Sequence, residues 1–240
     1  MRPQALTCVV TTLLLCALGA AAQTVHEVTT VPPPTGSYVA FKFEWDQGRP
    51  WVSYTITVDD AGNAHFQGVG NPTDSGDGDS FSQDFTMSDA NRQKIFELAK
   101  KTDYFQGTFE TKQKNIAKTG QKTLQFHGKS DGGAGLNTST TYNFSPNTDI
   151  EELTRLFQSI ALTLDFGRKL AFQYRFDKLG MDDKLKSLQD MQASHFAEEV
   201  GAIAPILQKI ASDPNMMHIS RVTAKQLLNG AGLGGVRSQP

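Results

Sequence analysis

The chain of 240 residues carries 23 lysines and arginines against 25 aspartates and glutamates, a formal charge of −2. So even a balance provides no concentrated basic face, which argues against nucleic acid as the main partner. The length suits one or two domains with cores that need no covalent staples, and fifteen phenylalanines with two tryptophans suit an ordinary aromatic core.

Residues 1–22 read as a signal peptide. Arg2 is the positive n-region, Ala5 to Leu18 an apolar run, and Ala20-Ala21-Ala22 a small-x-small site that predicts cleavage between Ala22 and Gln23. The expected localisation is secreted or periplasmic. Both cysteines, Cys8 and Cys16, lie in the apolar run. Cleavage would therefore leave a cysteine-free mature chain of charge −3, without disulfides, thiol nucleophiles or thiolate metal sites. Bacterial lipoprotein signals want a small residue before the cysteine, and here it is Leu15, so a released protein is expected over a lipid-anchored one. No later segment is apolar enough to span a membrane, which takes about 20 residues.

Residues 23–37, with Pro32-Pro33-Pro34, read as an extended Pro/Thr-rich tether. From Tyr38 the pattern alternates: Val39, Phe41, Phe43 and Trp45 share one face, Lys42 and Glu44 the other, which predicts a half-buried strand. Tyr54, Ile56 and Val58 alternate likewise, the turn Asp59–Asn63 follows, and Ala64 to Val69 returns as the partner of a β-hairpin. Residues 70–80 are a loop, and Phe81, Phe85 and Met87 mark a further short strand. Ser88 is then a good N-cap for a helix to about Thr102, with Asp89 in its first turn and Lys100-Lys101 at its end. Residues 122–145 read as a second hairpin around the turn Lys129–Gly135.

After this hairpin the sequence turns helical. Asp149 with Glu152 fits a capping box, and Ile150, Leu153, Leu156, Phe157, Ile160, Ala161 and Leu164 form an amphipathic stripe. Asp182 can cap a helix whose stripe persists through Phe196, Val200, Ile203, Leu207 and Ile210, with Pro205 kinking or dividing it. Ile219, Val222, Leu227 and Leu228 suggest a last helix closed by Asn229-Gly230, and 231–240 a glycine-rich disordered tail. The expected fold is α+β: an antiparallel sheet of hairpins with helices packed on one face, then an all-helical C-terminal part. The expected organisation is an α+β domain at 38–165 and a helical region at 166–230. Over roughly 38–165 this layout resembles that of small exported bacterial α+β domains of unknown function; the resemblance is architectural and carries no catalytic motif across.

Several constellations test against known chemistry. Asp74, Asp77 and Asp79 with Gly76 and Gly78 offer alternating oxygens of the kind calcium takes, but the loop lacks EF-hand spacing: Ser88 stands where a glutamate is required. On a helix, His195 and Glu199 would share a face one turn apart, and Glu198 is adjacent. Two ligands make no site, and His26, His65, His127 and His218 are scattered. No Gly-x-Ser-x-Gly elbow is present. Glu151-Glu152 and Asp182-Asp183 sit where helix dipoles already explain them, and Glu44 and Asp46 flank Trp45 at a strand end. Gly132-Gly133-Ala134-Gly135 lacks the Lys-Ser/Thr of a P-loop. Lys112, Lys114, Lys118 and Lys122 form the one basic series, read as a solvated connection. Asn137 and Asn143 begin N-x-S sequons that matter only in a glycosylating host.

No residue is therefore singled out as catalytic, cofactor-binding or metal-ligating, and no cofactor is expected. The reading this supports is an exported non-enzymatic module that binds another exported protein or an envelope component. Its alternative is a hydrolase or small-ligand carrier with its site in a cleft between sheet and helices. A deep polar pocket would favour the enzyme, a dry one the carrier, and a flat apolar patch on 182–229 the partner surface.

Overall fold

The structure, a computed structural model, describes residues 36–45, 51–70, 80–129, 132–133 and 135–233. The signal peptide with both cysteines, nearly all of the tether, the aspartate loop and positions 234–240 lie outside the described residues. The described residues all belong to one compact unit.

Six strands, β1 (Tyr38–Glu44), β2 (Trp51–Asp59), β3 (Asn63–Gly70), β4 (Ser80–Thr86), β5 (Gln121–Lys129) and β6 (Gly135–Tyr142), make one sheet in the order β4-β3-β2-β1-β5-β6. Every neighbouring pair is antiparallel. The period-two pattern sets the register: Phe41 stands opposite Ile56 on one side and Leu124 on the other, and all three are buried on the helix-covered face. Lys42 and the threonines of β2 point to the open face. The first turn holds because Asp59 accepts from both the backbone and side-chain nitrogens of Asn63.

Among the described residues, five α-helices follow the sheet's first four strands: α1 (Asp89–Lys101) between β4 and β5, then α2 (Thr148–Phe176), α3 (Met181–Ala193), α4 (Ala204–Ser212) and α5 (His218–Gly230). Ser88 caps α1 as expected, accepting from Asn91 N. Helix α2 lays Ile150, Leu153, Phe157, Ile160 and Leu164 on the sheet, and the Phe157 ring stacks parallel on Phe41 at 5.1 Å. Tyr142 and Thr154 tie sheet to helix through a buried 2.6 Å hydroxyl bond; Thr154 gives its own proton to Ile150 O, so Tyr142 donates. Burial raises the Tyr142 phenol well above its ordinary range.

Several expectations need correction. The cap of α2 is Asn147, whose side chain accepts from Asp149 N and Ile150 N; Asp149 is in the first turn. The helix then runs unbroken for 29 residues, so position 165/166 falls inside an element. Gly180 occupies the cap position of α3, with Asp182 and Asp183 in its first turn. The stripe from Leu185 to Ile210 is not one helix. It breaks after Ala193 into a turn where His195 and Glu199 are left-handed, then a 3₁₀ segment at Val200–Ile203. Pro205 sits in the first turn of α4, so of the two outcomes expected of it the stripe is divided, not kinked. At Gly167 the absent side chain is structural: a Cβ there would collide with Ile203 Cγ2.

Candidate functional site

Three places in the fold present chemistry to solvent. The first is an apolar ridge at the end of α2. The last fully buried residue of the helix is Leu170, and apolar side chains after it are exposed. Phe172 and Phe176, one turn apart, are 65% and 72% exposed, and Leu179 in the following turn is 83% exposed. The two rings pack on each other with centroids 4.7 Å apart. The ridge is anchored by Asp213, which accepts from Tyr174 Oη and Lys178 Nζ, both at 2.9 Å, and from Asn215 N. Those bonds, Lys178's foremost, push the Asp213 carboxyl down to about 2. The same contacts raise Tyr174 and Lys178 above their ordinary values.

The second is a cleft of about 770 Å³ between the sheet, α1, α2 and the turn 194–199. Phe43 and Tyr54 come from the sheet, Leu156 and Leu162 from α2, and Phe196 from the turn. Its charged rim includes a 2.6 Å Lys94–Glu152 pair, and the Lys94 hydrogen bond lowers the Glu152 carboxyl. Glu198 sits 3.2 Å from His195 Nδ1, and buried Asp165 pairs with Arg168 and Lys169.

The third is a hydrogen-bonded trio on the open face of the sheet. His65 Nδ1 meets Asp84 Oδ1 at 2.6 Å across the β3–β4 ladder, and Ser82 Oγ lies 3.4 Å from His65 Nε2. The order hydroxyl, imidazole, carboxylate is that of a nucleophilic triad. The setting differs from one: Asp84 is 82% exposed, and Ser82 and His65 line none of the larger cavities among the described residues.

The residues weighed in the sequence end up as follows. His195 and Glu199 do not share a helix face. Glu199 instead turns to α1, accepting from Ser88 N and Oγ and from Asn91 Nδ2. Among the described residues no three His, Asp or Glu side chains gather as a metal site. The basic series is not one solvated patch: Lys112, Lys114 and Lys118 are exposed, but Lys122 is 5% exposed and donates to Thr119 Oγ1, Gly120 O and Asn143 O. Asn143 spends its side chain on Thr119 N and Ala117 O, whereas Asn137 is exposed on β6. No described helix is long and apolar enough to cross a membrane.

Two of these features escaped sequence reasoning. His65 and Ser82 are 17 residues apart, and only the β3–β4 register joins them. Phe172, Phe176 and Leu179 carry no sequence signal of exposure, since spacing alone does not tell a covered face from a bare one. Compared with known protein families and with curated proteins, the chain matches neither a family model nor any curated protein.

Proposed function

We propose that the chain is an exported, non-enzymatic module that docks another exported protein. Export rests on residues 1–22, and docking on the Phe172–Phe176–Leu179 ridge. Contiguous apolar surface of this kind marks interaction sites more often than idle surface. Phe172 and Phe176, at i and i+4 of the last turns of α2, are spaced like the anchors that an amphipathic helix inserts into a partner's groove, and Leu179 extends the apolar surface into the turn that follows. Each phenylalanine that becomes covered gains about 1.5–3 kcal/mol.

The test is capture from envelope extract by the wild-type chain and by a Phe172→Ser/Phe176→Ser double variant, with cross-linked peptides identified. A partner cross-linked at residues 172–179 and lost with the double variant supports the reading. Capture unchanged by the double variant overturns it, and so does sedimentation with anionic vesicles in place of any protein. Export is checked separately: the N-terminus of the protein from the extracytoplasmic fraction should be Gln23.

The hydrolase reading has one observation in its favour, the Ser82–His65–Asp84 trio. It ranks second because an open sheet face neither excludes water nor presents preorganised donors for an oxyanion. A fluorophosphonate probe should leave Ser82 unlabelled. Labelling that disappears in both Ser82→Ala and His65→Gln would make hydrolysis the better reading.

A further inference from the structure

We infer that the cleft between sheet and helices is a binding site for a small amphipathic anion, with an alkyl or aryl body and a carboxylate head. This goes beyond the docking ridge and shares no residue with it. The volume of about 770 Å³ is that of a small-molecule pocket. Its walls supply the apolar part of the recognition: Phe43, Tyr54 and Leu156 are buried, while Leu162 and Phe196 stay exposed where they line it.

Phe196 is held outward by its own turn. The residues flanking it, His195 and Glu199, take φ of 58° and 57°, a conformation that non-glycine residues rarely adopt. The amides of Phe196 and Ala197 both donate to Met191 O, and Glu199 is fastened to α1 through Ser88 and Asn91. A ligand body lying between Phe43, Leu162 and Phe196 would cover apolar surface that the fold leaves wet.

Charge selects the head. Each carboxylate lining the cleft already faces a basic group: Glu152 has Lys94, Asp165 has Arg168 and Lys169, and Glu198 has His195. Arg155 also lines the cleft, is exposed, and acts on the Glu152 carboxyl only through space, behind the direct Lys94 hydrogen bond. Its nearby Glu152 is engaged by Lys94. The spare charge is therefore positive and a guanidinium, whose fork matches a carboxylate with two parallel bonds.

Calorimetric titration of the purified protein with decanoate and with 2-naphthoate tests this, with decanol as the uncharged control. Saturable 1:1 binding of at least one acid is expected, about tenfold weaker in Arg155→Gln, with decanol affinity unchanged by that substitution. Phe196→Ser should weaken acid and alcohol alike, and the Phe172→Ser/Phe176→Ser variant neither. Arg155 and Phe196 are both exposed, so far-ultraviolet circular dichroism should match wild type. The inference is overturned if neither acid binds below millimolar concentration, or if both cleft variants bind as wild type does. A ridge variant that abolishes acid binding would likewise overturn it, by moving the site out of the cleft.

Discussion

Helix α2 uses phenylalanine in two opposite ways. In its first half Phe157 is fully buried and stacked on Phe41; in its last turns Phe172 and Phe176 pack on each other and are mostly exposed. The residues around them explain the difference. Up to Leu170 the helix carries its buried residues, packed in one core with the sheet and the helical tail, and after it none is fully buried. Among the described residues, eight of the ten large apolar side chains left exposed fall after residue 160. The sheet half therefore completes its own core, and surface that can gain from a partner is concentrated in the helical half.

The largest expected effect comes from the buried end. Phe157→Ala removes the ring that joins helix to sheet and should cost about 3–5 kcal/mol, measured by urea unfolding. A cost below about 1 kcal/mol would mean that the helix does not rest on the sheet as described. Lys122 is the next test, because it belongs to the sheet half's self-sufficiency. Its ammonium gathers three oxygens from the chain ends around Thr119, Gly120 and Asn143. Lys122→Met keeps the stem and leaves those acceptors without their donor, at about 2 kcal/mol.

Gly167 lies between the two regimes of α2. Alanine there clashes with Ile203, and such overpacking costs about 1–3 kcal/mol. The gain of about 1 kcal/mol for replacing glycine in a helix leaves a net loss of up to about 2 kcal/mol. In an Ile203→Ala background, where Cγ2 is gone, Gly167→Ala should cost less than it does in wild type, which a change in helix propensity alone would not produce. At the exposed end the expectation reverses: Phe172→Ser and Phe176→Ser should each shift stability by no more than about 0.5 kcal/mol. A larger loss would show that the ridge is core in solution, and would break the contrast along α2.

What was legible in the sequence follows the same division. Alternation placed all six strands, because a sheet with one open face writes its register into every second residue. Ser88 was readable as a cap because its partner Asn91 is three residues away. The misplaced cap at Asp149 shows how far that goes: Asn147, Asp149 and Glu152 offer competing caps within six positions, and the choice depends on Glu152 being drawn to Lys94 across α1. The break at 194–199 left no trace in the apolar period, since Phe196 and Val200 keep helical spacing while the backbone leaves the helix. Its cause is remote, Glu199 bonding to Ser88 and Asn91 more than 100 residues earlier. The candidate sites share this property. The cleft, the His65 trio and the bare face of α2 are each defined by partners, present or missing, that are distant in the chain.

The smallest effect concerns what holds the ridge in place. Asp213 binds the end of α2 through Tyr174 and Lys178, and the signs of their shifts fix a pH window. Asp213 is lowered from 3.8 to about 2 when folded, so its contribution is complete above about pH 4 and is lost as pH falls through 2. Tyr174 and Lys178 are raised from 10.0 and 10.5, so theirs is complete below about pH 10 and is lost as pH rises further. The stabilisation should thus be flat across the neutral range and fall at both ends. Asp213→Asn retains an oxygen for Asn215 N and removes the charge. In low salt, where exposed pairs are least screened, its unfolding midpoint should trail wild type by a constant amount at neutral pH. The two should converge toward pH 2. A gap that persists in acid would mean that Asp213 acts through its shape and turn geometry, and that the base of the ridge is not held by charge.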